Sequence, residues 1–510
     1  MSDVSSNNKR IAKNTILLYG RMLVMLIVSL YTSRVILNAL GVEDFGIYQV
    51  VGGVVSMFTL LSGSLSATIS RYITFELGKG DINRQKLVFS TSVNIQLIMI
   101  GLLLVVFETI GIWFLNNKMI IPEGRLYAAN WVLQFSVVTF AVNLLAVPYN
   151  AAIISHERMG AFAYISLIEA FSKLTIAFII MKNPFDRLIY YGLLLLTVSI
   201  IIRFLYVRYC KRNFEECRYE AKIDKALTKD MFGFAGWSFF GAGSSQLMNQ
   251  GVDILSNVFF GVTVNAARGV ANQVNVAVTS FVNSFTTAIN PQITKSYAAG
   301  DHEYMKELMY RSAKFSYYLL LFFAIPLILE ANTVLKVWLI EVPSHAVNFV
   351  RLIICISLVL VLSNSMITGM LATGNIKKYQ LIVGGLGMLV FPLSWIGFGV
   401  GFPPETSYVI ILLIYIIQTF VRIILLREMV DISIRVFLRE IIWVVVCVTL
   451  IAIPLPILVM LFVDEGVIRL LLVTIISTIM IALAIYLTGL SNSEKAMVVR
   501  LVKQIGHRKN

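Results

Sequence analysis

Charge is what this sequence has least of. Asp, Glu, Lys and Arg make up 14% of its 510 residues, where a soluble domain carries about 25%, and that deficit excludes an ordinary soluble protein. Cysteine and histidine are scarce too, with four of each; Cys210, Cys217, Cys355 and Cys447 show no C-x-x-C spacing and no histidine clusters with them. Neither a disulfide framework nor a metal centre is indicated. No glycine-rich nucleotide motif occurs, so no cofactor is expected. The net charge of +14 would suit nucleic acid, but the basic residues sit in short clusters between apolar runs. That is the distribution of membrane topology determinants, and nucleic acid is excluded as a partner.

What fills the space is apolar: 58% of residues are hydrophobic and the mean hydropathy is +0.82. Uninterrupted runs of the length a helix needs to cross a bilayer, about 20 residues, recur along the chain. Backbone groups in lipid must bond within their own segment, so the spans are helices and the fold class is an all-α polytopic membrane protein. About fourteen spans are expected by that criterion. Their cores lie near residues 16–37, 47–66, 92–115, 131–153, 162–181, 189–207, 232–253, 269–289, 315–335, 347–371, 381–400, 409–426, 442–462 and 467–487. The first run has no small-residue cleavage site after it and reads as a retained helix. With both termini inside, Lys9, Arg10, Lys79, Arg84, Lys211, Arg212, Lys377, Lys378, Lys503 and Arg508 fall on the inner side, while the first outer loop, GVEDFG, is acidic; this is the positive-inside asymmetry.

The chain repeats itself. RYITFELGKGDINRQK (71–86) and PQITKSYAAGDHEYMK (291–306) share Ile-Thr, Gly-Asp and Lys in register, and 301 − 81 gives an offset of 220. About a quarter of positions from Gly41 to Lys86 match at that offset, including Gly41/Gly261, Thr59/Thr279, Ser64/Ser284 and Thr74/Thr294. Both copies begin on a helix of the same direction, so these are parallel repeats of six spans. The expected organisation is an N-terminal lobe (1–212), a charged inner linker (213–230), a C-terminal lobe (231–430), and two additional spans with a basic tail (431–510). In each Gly-Asp phrase glycine turns the chain and aspartate caps the next helix.

Polar residues concentrate on the first two helices of each half. In the eighth span Arg268, Asn272, Asn275, Thr279, Asn283, Thr286 and Asn290 step by three or four along one face. The seventh carries Ser238, Ser245, Asn249 and Asp253; the first carries Arg21, Ser29, Thr32 and Arg34. Small and hydroxyl residues also glue membrane helices together. A continuous Asn-rich stripe exceeds that need and points to a water-filled cavity between the halves. Intramembrane charge is costly and marks function. Arg21 and Arg34 favour an anionic substrate, since guanidinium matches phosphate oxygens. Asp253 and Arg268 read as gating or ion-coupling residues, and the repeat makes Arg34 a partner for Asp253. Glu169 and Lys173, four apart in the fifth span, neutralise each other. Glu108 and Glu330, near span ends, are expected at the interface. Two six-helix repeats around a polar cleft describe alternating access.

At Ser33–Val51, SRVILNALGVEDFGIYQVV, the chain resembles the polysaccharide-biosynthesis branch of the MATE-like multidrug/oligosaccharidyl-lipid/polysaccharide exporter superfamily. Arg34, Gly41, Phe45, Gly46 and Tyr48 carry the resemblance; in the second half NAARG stands where the pattern has Gly-x-Tyr, so the copies have diverged. The resemblance implies a flippase for undecaprenyl-diphosphate-linked oligosaccharide in the bacterial inner membrane, serving O-antigen, capsule or exopolysaccharide assembly. It implies membrane lipid, a polysaccharide polymerase and a chain-length regulator as partners, and Na+ or H+ as a coupling ion. Arg21 and Arg34 are then the residues for the diphosphate, and Asn249, Asn272, Asn275 and Asn283 those for the glycan. Two alternatives stand. An ion-coupled drug or cation antiporter would want carboxylates in the first two spans, which have none. A membrane glycosyltransferase or polymerase would want a sizeable loop outside the membrane, and the expected loops reach at most about 15 residues; an enzyme is not expected.

Overall fold

The computed structural model describes residues 2–56, 59–117, 121–122, 124–181, 186–220, 224–339, 342–491 and 494–495. The Arg34 side chain and the basic tail with Lys503 and Arg508 lie outside the described residues. Among those described there is no strand. The helices are α1 (Ser2–Ser56), α2 (Thr59–Lys79), α3 (Ile82–Asn117), α4 (Leu126–Ser155), α5 (Met159–Met181), α6 (Arg187–Asn213), α7 (Lys225–Gln246), α8 (Val252–Phe260), α9 (Val262–Ala298) and α10 (His302–Leu329). There follow α11 (Ala331–Trp338), α12 (Ala346–Thr373), α13 (Lys377–Gly399), α14 (Thr406–Val430), α15 (Ile434–Phe462) and α16 (Val467–Gly489). Ten of these are long and apolar enough to cross a membrane. The other four expected spans fall on α1–α2, α7–α8 and α9, helical at their described residues.

The 220-residue repeat governs where helices turn. Gly41 interrupts α1 at φ 80°, and Gly261 separates α8 from α9 at φ 78°. Gly80 and Gly300 end α2 and α9 at φ 77° and 79°, a left-handed conformation that any Cβ would strain. The next residue caps in both copies: the Asp81 carboxylate accepts from the Asn83 and Arg84 amides (3.0 and 3.1 Å), and that of Asp301 from the Tyr304 amide (3.1 Å). Both expected turns and caps are therefore present. Helix starts keep the same offset, Ile82 with His302 and Leu126 with Ala346.

The chain divides into two compact units. Unit 1 is Met1–Ala242 with Thr294–Gly300; unit 2 is Gly243–Ile293 with Asp301–Asn510. The core of unit 1 joins α1, α3 and α4 through Val51, Val55, Phe107, Val132, Leu133 and Leu144. The charged linker is strapped to this unit. Tyr219 donates to Asn94 (2.8 Å), the Glu220 amide donates to Ser90 (3.0 Å), and buried Glu216 holds His156 at 2.5 Å. Unit 2 is built around Val278, Val282, Leu320, Phe349, Ile354 and Ile411 of α9, α10, α12 and α14.

The last two spans are fastened to α10 and α11 at several levels. Glu330, at the end of α10, lies fully buried rather than at the interface; it accepts from Arg469 Nε (2.6 Å), Arg469 Nη2 (3.1 Å) and Thr333 (2.7 Å). A buried carboxylate is tolerated when paired and fully hydrogen-bonded, which is what α16 supplies. Further along, Tyr317 bonds Thr449 (2.9 Å) and Tyr318 donates to the Gly489 carbonyl (3.1 Å). A Cβ on Gly489 would lie 2.7 Å from the Tyr318 hydroxyl, so α16 ends on the one residue that admits this approach.

Candidate functional site

The first site residue from the sequence, Arg21, sits inside unit 1. Phe162, Ser166, Glu169 and Lys173 share a face of α5 at intervals of three and four. Arg21 from α1 meets this face with its guanidinium carbon 4.5 Å from the Phe162 ring centroid. It also lies within electrostatic reach of Glu169 and of Tyr206 of α6. Lys173 and Glu169 form the expected pair at 2.6 Å, both still partly exposed. Glu169 thus interacts with both cations, Arg21 and Lys173. The buried Nε of Arg21 has no acceptor among the described residues. A guanidinium with a donor to spare, over an aromatic face, is chemically ready for an anion.

Asp253 and Arg268 come together in unit 2. Arg268 Nε donates to Asp253 Oδ1 at 2.5 Å, its Nη1 donates to Ser407 at 3.2 Å, and its guanidinium lies 4.7 Å from the Tyr408 ring centroid. Arg268 is almost wholly buried while Asp253 keeps 28% exposure. The pair ties α8 and α9 to α14. In the described residues Asp253 is thus held by its own half.

The asparagine stripe of α9 divides along its length. Asn275 Oδ1 accepts from Ser357 of α12 (2.6 Å), and Asn290 accepts from Thr368 (3.1 Å), so these two act in helix packing. Asn272 and Asn283 are exposed. At about 100° per residue they lie roughly 60–80° further round the helix than Asn275, past the edge of the buried face. Asn249 is exposed in the wide π turn Leu247–Gly251 that joins α7 to α8, and donates to the Ser245 carbonyl (2.8 Å). Such turns recur at functional positions.

Several polar groups escaped sequence reasoning. Arg71 is enclosed by Tyr72, Phe75 and Phe234 with centroid distances of 4.7, 4.6 and 5.7 Å, and Tyr72 donates to Asp230 at 2.5 Å. The signal was present in RYITFELGK, where Arg71, Phe75 and Lys79 recur every four residues on one face. The acidic GVEDFG segment, expected as a loop, continues α1 past the Gly41 kink and is held by Arg125, which grips Asp44 and also Asp186 (2.6 Å). In unit 2 His345, 220 residues after Arg125, bonds Glu405 at 2.7 Å, joined by Asn348 at 3.0 Å. Burial pushes the carboxyls of Asp186 and Glu405 up, but Arg125 and the α6 amides outweigh it at Asp186, and Asn348 and His345 at Glu405. Both carboxyls rest below their ordinary range.

This arrangement, a guanidinium over an aromatic face in one unit and a buried ion pair beside exposed asparagines in the other, stands on a fold shared with MATE transporters. A crystal structure of a MATE mutant superposes with a TM-score of 0.73 at 12% identity, over 83% of this chain and 96% of that one. An outward-facing multidrug resistance MATE family transporter of the MOP superfamily gives 0.72 at 12% identity and the same coverage. The chain belongs to the polysaccharide biosynthesis protein family, whose sequence pattern matches residues 11–297. It is also similar to the uncharacterized membrane protein EpsK of Bacillus subtilis (strain 168), 20% identical over 283 residues, 55% of this chain. The match spans 56% of that relative's length.

Proposed function

We propose that the chain is a flippase for polyprenyl-diphosphate-linked oligosaccharide, carrying repeat units across the bacterial cytoplasmic membrane by alternating access, with both termini cytoplasmic. Membership of the polysaccharide biosynthesis family supports a glycan substrate. The observation that carries the reading is Arg21: a guanidinium over the Phe162 ring, with a buried Nε lacking an acceptor among the described residues. A diphosphate supplies the oxygens such a donor needs; Arg34, thirteen residues and about 20 Å further along α1, would meet it at another stage of its passage. The exposed amides of Asn272, Asn283 and Asn249 offer donors and acceptors matched to sugar hydroxyls. Asn275, bonded to Ser357, supports the helix that presents them. The Asp253–Arg268 pair serves as a latch of α8 and α9. Glu169 beside Arg21 favours one second reading, an ion-coupled antiporter in which that carboxylate takes up the proton.

The experiment is reconstitution of the purified chain into vesicles with a polyprenyl-diphosphate oligosaccharide confined to one leaflet. The flippase reading predicts appearance of the glycan in the opposite leaflet, faster than in empty vesicles. No glycan movement, with ion-driven efflux of an organic cation instead, would replace it with the antiporter.

A further inference from the structure

The appended hairpin carries a feature that neither the repeat nor the proposed transport site uses. α15 begins with Ser433, which caps it by accepting from the Val436 amide (3.4 Å), and then widens into a π turn over Leu438–Ile442. One face is buried: Phe437, Ile441, Val445 and Val448 pack inward, with Phe437 against the Tyr310 ring of α10 at a centroid distance of 6.0 Å. Glu440 lies within electrostatic reach of the same Tyr310. The opposite face holds Arg435, Arg439 and Trp443, which with Ile434 and Leu438 line a cleft of about 690 Å³. Among the described residues neither arginine has a carboxylate partner.

These residues are ordered by depth. At about 1.5 Å per residue, Arg439 lies some 6 Å further along the helix than Arg435, and Trp443 as far again. Beyond them the exposed side chains turn wholly apolar, with Val446 and Leu450. Two guanidiniums, then an indole, then aliphatic groups reproduce the profile of one phospholipid: phosphate, glycerol-ester layer, acyl chain. Trp is favoured at that middle level, and basic clefts at a membrane surface bind anionic headgroups.

We infer that the cleft lined by Arg435, Arg439 and Trp443 is a binding site for the phosphate headgroup of an anionic phospholipid, in the leaflet that the positive-inside rule assigns to the cytoplasm. Paired guanidiniums select phosphate by their donor geometry. The site stands apart from the transported substrate and does not depend on its identity.

The test is native mass spectrometry of the detergent-purified full chain, titrated with phosphatidylglycerol, with phosphatidylethanolamine, with inorganic phosphate and with a polyprenyl diphosphate. Phosphatidylglycerol should be retained, and Arg435→Gln/Arg439→Gln should weaken that retention by about thirtyfold, the effect of two surface arginines. In parallel, brominated phosphatidylglycerol should quench tryptophan emission in the wild type and less in Trp443→Phe, a readout that does not rely on the arginine variants folding. Equal retention of phosphatidylglycerol by wild type and double variant, or equal quenching with and without Trp443, overturns the site. Binding of inorganic phosphate as strong as that of the lipid overturns the lipid assignment. Preference for the polyprenyl diphosphate over phosphatidylglycerol does so as well.

Discussion

Arg268 on α9 reaches Asp253 on α8 with Nε 2.5 Å from Oδ1, and its remaining nitrogens are committed to Ser407 and the face of Tyr408. One side chain therefore joins three helices of unit 2. Arg268→Ala should lower stability in detergent by about 1.5–3 kcal/mol, the value of hydrogen bonds to a charged group. Arg268→Lys should not restore it, because an ammonium lacks the planar fork that reaches Asp253 through Nε and Ser407 through Nη1 while lying over the Tyr408 ring. Thermal unfolding of Asp253→Asn, Arg268→Ala and the double variant measures the coupling; additive losses would remove the latch.

The Glu330–Arg469 pair is more deeply buried, and breaking it from one side leaves a bare carboxylate. Arg469→Met should cost about 3–5 kcal/mol, while Glu330→Leu/Arg469→Met should recover most of that loss. Unfolding midpoints of the three proteins decide the matter. A neutral Arg469→Met would mean that the hairpin is not held through this contact.

Acid should weaken the clasps at Asp186 and Glu405. Both carboxyls have folded-state pKa values below the ordinary ones. Their contribution is present above the unfolded values, near 3.9 for Asp and 4.3 for Glu, and is lost as pH falls through the folded ones. Stability should therefore decline below about pH 4.5, and Glu405→Gln should flatten part of that decline. An unfolding series from pH 7 to pH 3 checks it, and identical profiles for wild type and variant would contradict it.

The stripe on α9 should separate by function. Asn275→Ala breaks the bond to Ser357 and should cost about 0.5–1.5 kcal/mol. Asn272→Ala and Asn283→Ala, at exposed positions, should stay within about 0.5 kcal/mol of wild type. They should nevertheless lower glycan movement per folded molecule in vesicles. Loss of stability with unchanged transport at Asn272 and Asn283 would reverse their assignment.

Much of the architecture is written in local chemistry. Gly80-Asp81 and Gly300-Asp301 each encode a left-handed turn and a cap within two residues, so the repeat declares both helix ends and the duplication. The spans are legible for the same reason, since lipid imposes their length. What sequence could not place is rotation. The Asn-rich face of α9 reads as one stripe, yet a turn of roughly 60–80° divides Asn275, bonded to α12, from exposed Asn272 and Asn283. Glu330 looked interfacial because it ends a span; its partner lies 139 residues on, at Arg469. Arg21 stands out in the sequence by its charge, but Phe162, Glu169 and Tyr206 join it only through the packing of α5 and α6.

The central claim is that Arg21 and Arg34 hold the diphosphate of a lipid-linked glycan. The most direct measurement is the rate at which Arg21→Ala and Arg34→Ala, reconstituted at matched folded protein, move a polyprenyl-diphosphate oligosaccharide between vesicle leaflets. The account predicts a fall of roughly tenfold or more in each, the loss of a charge-assisted hydrogen bond in the membrane. Wild-type rates in both variants would contradict it.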